Sequence, residues 1–412
     1  MKTSLKIIVV FAICAVQYVP AHAQPTMETG GKKMPDEWID KDTHHRIIRL
    51  VRMEGKNVSF YFHNNPFYGN KMVFYNTGKN GKQVYTVDLK TYAIEQITHQ
   101  SSPMSGELVG QKTGNVYYQI KDSVFSTNIK SKETKLLFVF PADYKGSITT
   151  INADETVMAG AKASDEQKEI LKKYPVKSDY FNRIYDAKLP NDLWKIDLKT
   201  GKLGMIHTEN TWLGHVQFSP TDPKLLMFCH EGPWHKVDRI WTINIDTKEV
   251  KLMHKRTMDM EIAGHEWLAP DGKTIWFDLQ QPRSVKFFVA GTDVNTGKQT
   301  KYELQRDEWS IHFNISPDKK MFAGDGGDSG QVAKAKNGMW IYAFTPEGDR
   351  FKAERLVNMK YHGYKSEPNV HFSPDNKWVI FHANFEGGDE QVYAVEVRRS
   401  AETKQGLDTP GR

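Results

Sequence analysis

Histidine and carboxylate residues crowd the second half of this chain, and their spacing carries the first clue to chemistry. Trp212-Leu-Gly-His215 precedes a short apolar run, and Phe228-Cys-His230-Glu231-Gly-Pro-Trp-His235-Lys-Val-Asp-Arg239 follows the next one. Gly264-His265-Glu266-Trp267, His312, Gly324-Asp325-Gly-Gly-Asp328 and Glu367-Pro-Asn369-Val-His371 come after, with His382 beyond. His215, His265, His312 and His371 each stand a few residues before a proline-containing turn. Equivalent positions in separate segments converge if those segments surround a common axis. Imidazoles facing Glu231, Glu266 and Glu367 can then hold a divalent cation such as Mn²⁺. A neutral imidazole can also act as a general base. The competing reading is that a periodic histidine packs the repeat, bonding to backbone between neighbouring units.

The elements that must position these residues are repeats. Seven segments share an alternating strand, five of which run straight into a polar turn. They include Tyr85-Thr-Val-Asp-Leu-Lys-Thr91, Phe125-Ser-Thr-Asn-Ile-Lys-Ser131, Leu193-Trp-Lys-Ile-Asp-Leu-Lys-Thr200 and Ile240-Trp-Thr-Ile-Asn-Ile-Asp-Thr247. The others begin at Phe288, Met339 and Val392. A period of about 40 to 53 residues is the length of a four-stranded propeller blade. A Ser/Ala-Pro turn precedes several copies, at Ser219-Pro220, Ala269-Pro-Asp271, Ser316-Pro-Asp318 and Ser373-Pro-Asp375. Proline followed by aspartate favours a tight turn into a half-buried strand. The expected fold class is therefore all-β, a seven-bladed β-propeller over residues 24–397. Residues 164–189 interrupt the third copy with a charged stretch of helical character, expected as an excursion over one face. Closure into a ring removes the free sheet edges.

Outside the repeats, Lys2 and Lys6, the apolar run from Ile7 to Val16 and Ala21-His-Ala23 form the pattern of a signal peptide over residues 1–23. A periplasmic or secreted protein is expected. The apolar run is too short to cross a bilayer as a helix, and no later segment is apolar for long enough, so no membrane insertion is expected. Cleavage after Ala23 would leave Cys229 as the single cysteine, so the fold has to rest on its core. Residues 398–412 are polar and expected to be disordered. A net charge of +6 with scattered lysines suits a small anionic substrate or an ordinary surface; it makes no nucleic-acid patch. A monomer is expected.

The motifs then become specific. Phe228-Cys-His-Glu-Gly-Pro233 with Val237-Asp238 and Arg239 to Trp241 resembles the oligogalacturonate lyase family. So do Trp212-Leu-Gly-His215, His265-Glu-Trp267 and Gly324-Asp-Gly-Gly-Asp328, and the similarity runs from about Asp42 to Val397. The resemblance implies a seven-bladed propeller that cleaves short galacturonides, and so binds a uronate-containing oligosaccharide, by β-elimination with Mn²⁺. It carries over His215 and Arg239 as the catalytic pair, and His230, Glu231 and His235 as substrate-binding residues. It makes His265 a metal ligand. The family's Gln-x-x-His-x-His run falls on Tyr364, Glu367 and Asn369, with His371 two residues further on. Glu367, Asn369 and His371 are thus the remaining candidate ligands. Propellers similar to this family also include exo-α-L-rhamnosidases of gut bacteria. These remove rhamnose from glucuronic acid in arabinogalactan, using one histidine on the opposite face. His44 and His45 stand where that residue would be sought. A non-catalytic glycan-binding propeller is the third reading.

Overall fold

The repeating turns explain why the strands recur. In five blades an Asp or Asn at the end of the third strand accepts two backbone N–H groups from the residues that follow. Asp88 takes those of Lys90 and Thr91, at 2.9 Å each. Asn128, Asp197, Asn244 and Asp293 repeat the arrangement at 2.8–3.1 Å. Such Asx-turns satisfy the turn backbone locally and send the chain back antiparallel. The Ser-Pro turns work the same way at the inner edge. Ser316 Oγ accepts the N–H of Met321 at 3.0 Å and donates to Asp318 at 2.8 Å.

A computed structural model describes residues 24–398, leaving out 80, 101–102 and 332–333. The expected signal segment (1–23) and the tail from 399 onward lie outside the described residues. The strands form seven blades, as the repeat predicts. Blades two, three and four are separate four-stranded sheets. Blades five and six join through one parallel pair, Glu303 with Arg350. Blade seven takes its three inner strands from the end of the chain, His371–Phe372, Trp378–Ala383 and Gln391–Glu396. Its next strand, Arg46–Arg49, comes from the start, with Ile47 opposite Val395.

The core is a ring of apolar layers between neighbouring blades. Ala159 and Leu193 of blade three pack with Leu213 and Phe228 of blade four. Met227 and Ile240 pack with Ala263 and Ile275 of blade five. Trp38, Ile341, Leu356 and Phe381 seal blades six and seven, and Ile48, Phe74 and Ile380 seal seven to one. Each sheet face thus buries against the next, which is the only way these two-sided strands can leave water.

Residues 164–189 leave blade three between its second and third strands. They carry α1 (Asp165–Lys173) and α2 (Lys177–Ala187). Ser164 caps α1 by accepting the N–H of Gln167, and that helix follows the macrodipole with Asp165 and Glu166 first and Lys172 and Lys173 last. The buried Gln167 side chain accepts from Asn191 at 2.8 Å, pinning the excursion to blade three.

Candidate active site

Inner strands of three blades take the same unusual step. His215, His265 and Asn369 have φ of 47°, 45° and 52°, and each stands five residues before its turn proline, Pro220, Pro270 or Pro374. A non-glycine residue in this left-handed region costs about 1–3 kcal/mol, which marks a site where geometry serves chemistry. In blades four and five the step coincides with a register shift, between Gly214 and Gln217 and between Gly264 and Trp267. A bulge of this kind re-aims one side chain out of the strand's alternation.

His215 is thereby set against a buried ion cluster. Arg239 donates through Nη1 to Glu231 Oε1 at 2.7 Å and through Nε to Glu266 Oε2 at 2.8 Å. His215 lies over both acceptors, its Nε2 3.6 Å from Glu231 Oε2 and its Nδ1 4.0 Å from Glu266 Oε1. Burial, the largest single influence, would raise the pKa of Glu266, but Arg239 and His215 together with the hydrogen bonds outweigh it and hold the group down at about 2. Glu231 is lowered by the same balance. Burial pulls His215 below the ordinary imidazole value against the two carboxylates, and Arg239 adds to that pull. The imidazole is therefore neutral at physiological pH, with a lone pair to offer. Trp234 closes the cluster by donating its indole N–H to Glu231 Oε1 at 3.1 Å. Gly264 makes room for that ring, since a Cβ there would lie 3.2 Å from it.

A second group lies beside the first. His265 Nδ1 is 2.9 Å from Asp278 and His312 Nδ1 is 2.9 Å from Asp325. The two imidazoles meet edge to face at 4.9 Å. His312 Nε2 is 3.6 Å from Glu367 Oε2 and 3.2 Å from the Tyr61 hydroxyl. Carboxylates behind both Nδ1 atoms direct the Nε2 lone pairs forward, the arrangement found behind metal-ligating histidines. At rest the Tyr61 hydroxyl can donate to the His312 Nε2 lone pair. Two imidazole nitrogens and a carboxylate suit a borderline-to-hard divalent ion. Among the described residues the three donors that lie within 4.8 Å of one another are those of His215, Cys229 and Glu231, while those of His265, His312 and Glu367 are more widely spread. Burial keeps the Cys229 thiol protonated, and Glu231 already faces Arg239, so that place is filled by the guanidinium.

The structure brings His215, Glu231, Arg239, His265 and Glu367 into this region and revises several expectations. Arg239 is 2 % exposed and spends its donors on two glutamates beneath His215, which leaves it buried away from solvent. His230 does not line the pocket. Strand alternation puts it on the face opposite Cys229 and Glu231, where it bonds Glu209 at 3.1 Å and stacks on Trp241. His235 stands on the half-buried rim loop, its carbonyl held by Arg256. Asn369, not His371, is the true counterpart of His215. The Asn369 amide is engaged, accepting from Phe62 N–H at 3.1 Å and donating to the Glu367 carbonyl at 2.8 Å. His371 lies two residues deeper and bonds the Asn64 carbonyl at 3.2 Å. It lines a cavity of about 660 Å³ with five proline turns, at Pro66, Pro220, Pro270, Pro317 and Pro374, and the turns at Gly110 and Asn152. A metal ligand set including His371 is therefore not assembled. His44 and His45 sit at the outer hairpin of blade seven. His45 is buried against the Glu396 carbonyl at 2.8 Å and Glu354 at 3.2 Å.

Sequence reading missed Tyr61, His63 and the supporting carboxylate Asp278. Tyr61 stands five residues before Pro66, the phase of His215, so counting back from each turn proline would have found it. Burial pushes His63 down to about 3, which keeps it neutral.

Comparison with known proteins agrees with this geometry. The family model described as oligogalacturonate lyase matches residues 30–401. An oligogalacturonide lyase of Pectobacterium atrosepticum is 25 % identical over 378 residues, covering 87 % of this chain and 95 % of its own. An oligogalacturonate lyase of Dickeya dadantii is 26 % identical over 379 residues, with the same coverage. Among solved structures, an oligogalacturonate lyase of Vibrio parahaemolyticus superposes with a TM-score of 0.77 at 22 % identity, covering 88 % of this chain and 96 % of that one. An oligogalacturonate lyase in complex with manganese gives 0.75 at 24 % identity, covering 90 % and 99 %.

Proposed function

Because the chain belongs to the oligogalacturonate lyase family, we propose that it cleaves short galacturonides by β-elimination, with His215 as the base. The observation that carries this reading is the placement of His215. Its neutral imidazole is held by a left-handed backbone step beside Glu231, Arg239 and Glu266. In the reaction the base takes the proton on C5, next to the uronate carboxylate. The C5–H electron pair becomes the C4–C5 double bond, the bond from C4 to the glycosidic oxygen breaks, and that oxygen takes up a proton.

Each neighbour of His215 has a part. Arg239 pairs with Glu231 and Glu266 and, together with burial, offsets their tendency to place a proton on the imidazole at rest. Once His215 is charged, the same carboxylates stabilise the imidazolium. Trp234 and the buried cluster beneath exclude water from one side of the ring. His265, His312 and Glu367 would hold a divalent cation such as manganese, whose charge, when bound, makes the C5 proton more acidic by neutralising the uronate carboxylate. The histidine pair His44 and His45, four strands from the channel, takes no part, and hydrolytic release of rhamnose is not favoured. The protein is taken to act outside the cytoplasm, and N-terminal sequencing of the exported chain should begin at Gln24.

Incubation with di- and trigalacturonate, followed by the ultraviolet absorbance of the new double bond, tests the assignment. The wild-type protein should generate the chromophore. His215→Ala should lose about 10²- to 10⁴-fold in turnover while remaining folded, and the double change of His44 and His45 to Ala should keep most activity. Binding of either sugar with no reaction would overturn it, as would release of free rhamnose, without the chromophore, from a rhamnosyl-glucuronate oligosaccharide supplied in parallel.

A further inference from the structure

The excursion of blade three reaches the centre through a row of aromatic rings, and the elimination chemistry leaves it without a task. Lys177 opens α2 and is exposed. Its Nζ lies 4.8 Å from the Phe181 ring centroid and 5.3 Å from that of Trp234. Phe181 in turn meets Trp212 edge-on at 5.6 Å, and Trp234 meets His265 edge-on at 5.6 Å. Lys177 therefore stands one indole ring from the candidate metal ligand, and Trp212 stands three residues before His215.

The charge around this row is unbalanced. In α1 the lysines pair with acids one turn back, Lys168 with Asp165 and Lys172 with Glu169. Among the described residues Lys177 has no carboxylate within ion-pairing distance, and neither has Lys236 on the facing loop, whose Nζ is 3.4 Å from Asn182 Oδ1. Aromatic faces beside ammonium groups that lack a carboxylate partner suit a pyranose ring carrying a carboxylate: the ring's C–H faces stack, and the charged pair fixes orientation. The wall is also held in place. Gly232, at φ 149°, lets the Tyr185 ring of α2 sit on the Glu231 loop, where a Cβ would come within 3.3 Å of it.

We propose that Lys177, with Phe181, Trp212 and Trp234, binds the uronate residue next to the scissile pair, Lys177 pairing with its carboxylate. This rests on the oligogalacturonate reading above and makes the excursion a determinant of chain length, favouring three-residue over two-residue substrates.

The test compares wild type, Lys177→Gln and Lys177→Arg on digalacturonate and trigalacturonate. Initial rates are measured alongside calorimetric binding of both sugars, with thermal melting as the fold control. Lys177→Gln should raise KM and Kd for the trimer by about two- to fivefold, the order expected for one exposed ion pair. It should leave kcat and all dimer constants unchanged, and Lys177→Arg should restore most of the loss. Unchanged trimer constants in Lys177→Gln, or equal losses on dimer and trimer, would overturn the proposal. Trimer binding that depends on Lys177 without any cleavage would support the wall and overturn the lyase reading. Cleavage indifferent to Lys177 would do the reverse, and a wild type that neither binds nor cleaves would sink both.

Discussion

On the proposed mechanism His215 acts as a base near neutral pH while lying between two carboxylates, which would ordinarily raise its pKa. Burial resolves the conflict by disfavouring the charged ring, and the buried guanidinium of Arg239, paired with both acids, adds to that pull. Elimination then needs the neutral ring, so kcat/KM falls only when His215 becomes protonated. Its pKa is lowered, chiefly by burial, so the acid limb should lie below the ordinary imidazole value of about 6.5. A pH–rate profile on digalacturonate should show a one-proton acid limb there, and a limb well above that value would exclude His215 as the base. The sequence displayed His215, Glu231 and His265 through their motifs. It did not display Arg239's burial, because Glu266 belongs to the next blade and Glu231 to a loop. Nor did it reveal that His312 meets Tyr61, 251 positions away.

At the scale of elements, what was legible is what the chain solves locally. The Asx-turns and Ser-Pro turns are written in short runs, so seven copies could be counted and the excursion placed within the third. The left-handed steps at His215, His265 and Asn369 are harder, because they depend on how each inner strand meets its neighbour. His371 was grouped with the wrong set for that reason: proximity to a proline was visible, while the phase of the bulge was not. The two turn types also differ in what they protect. Asn244 satisfies exposed N–H groups that water can reach. Ser373 is 1 % exposed and holds the N–H of Trp378 at 3.0 Å. Removing a buried partner leaves a donor unsatisfied, at a cost of about 1–3 kcal/mol, whereas an exposed one costs less. In urea titrations Ser373→Ala should therefore lose more stability than Asn244→Ala. Equal losses would show that the inner turn is satisfied by other means.

For the whole molecule, the decisive event is closure of the ring, where the first residues of the propeller must find the last. Trp38, Ile47 and Ile48 are buried in the layers on either side of blade seven, so closure is driven by apolar burial from both ends of the chain. The repeat predicts a ring but not this exchange, since the strand Arg46–Arg49 lies outside the seven copies that define it. His382 lies at this seam. It is on the second strand of blade seven, and its Nδ1 is 2.9 Å from Ser59 Oγ of blade one. Burial holds its pKa down at about 3, while an unfolded chain would titrate near 6.5. Between those values the unfolded chain binds a proton that the native protein does not, so stability is full above pH 6.5 and falls as pH drops through the window. Carboxylates elsewhere add their own acid dependence, but they do so equally in wild type and variant. His382→Gln keeps a side chain able to bond Ser59 and cannot titrate. Its unfolding free energy, measured in urea at pH 7.5 and at pH 5, should fall less on acidification than that of the wild type. The difference should approach the slope of about one proton per molecule. Parallel losses in the two proteins would mean that His382 accepts its proton without opening the seam.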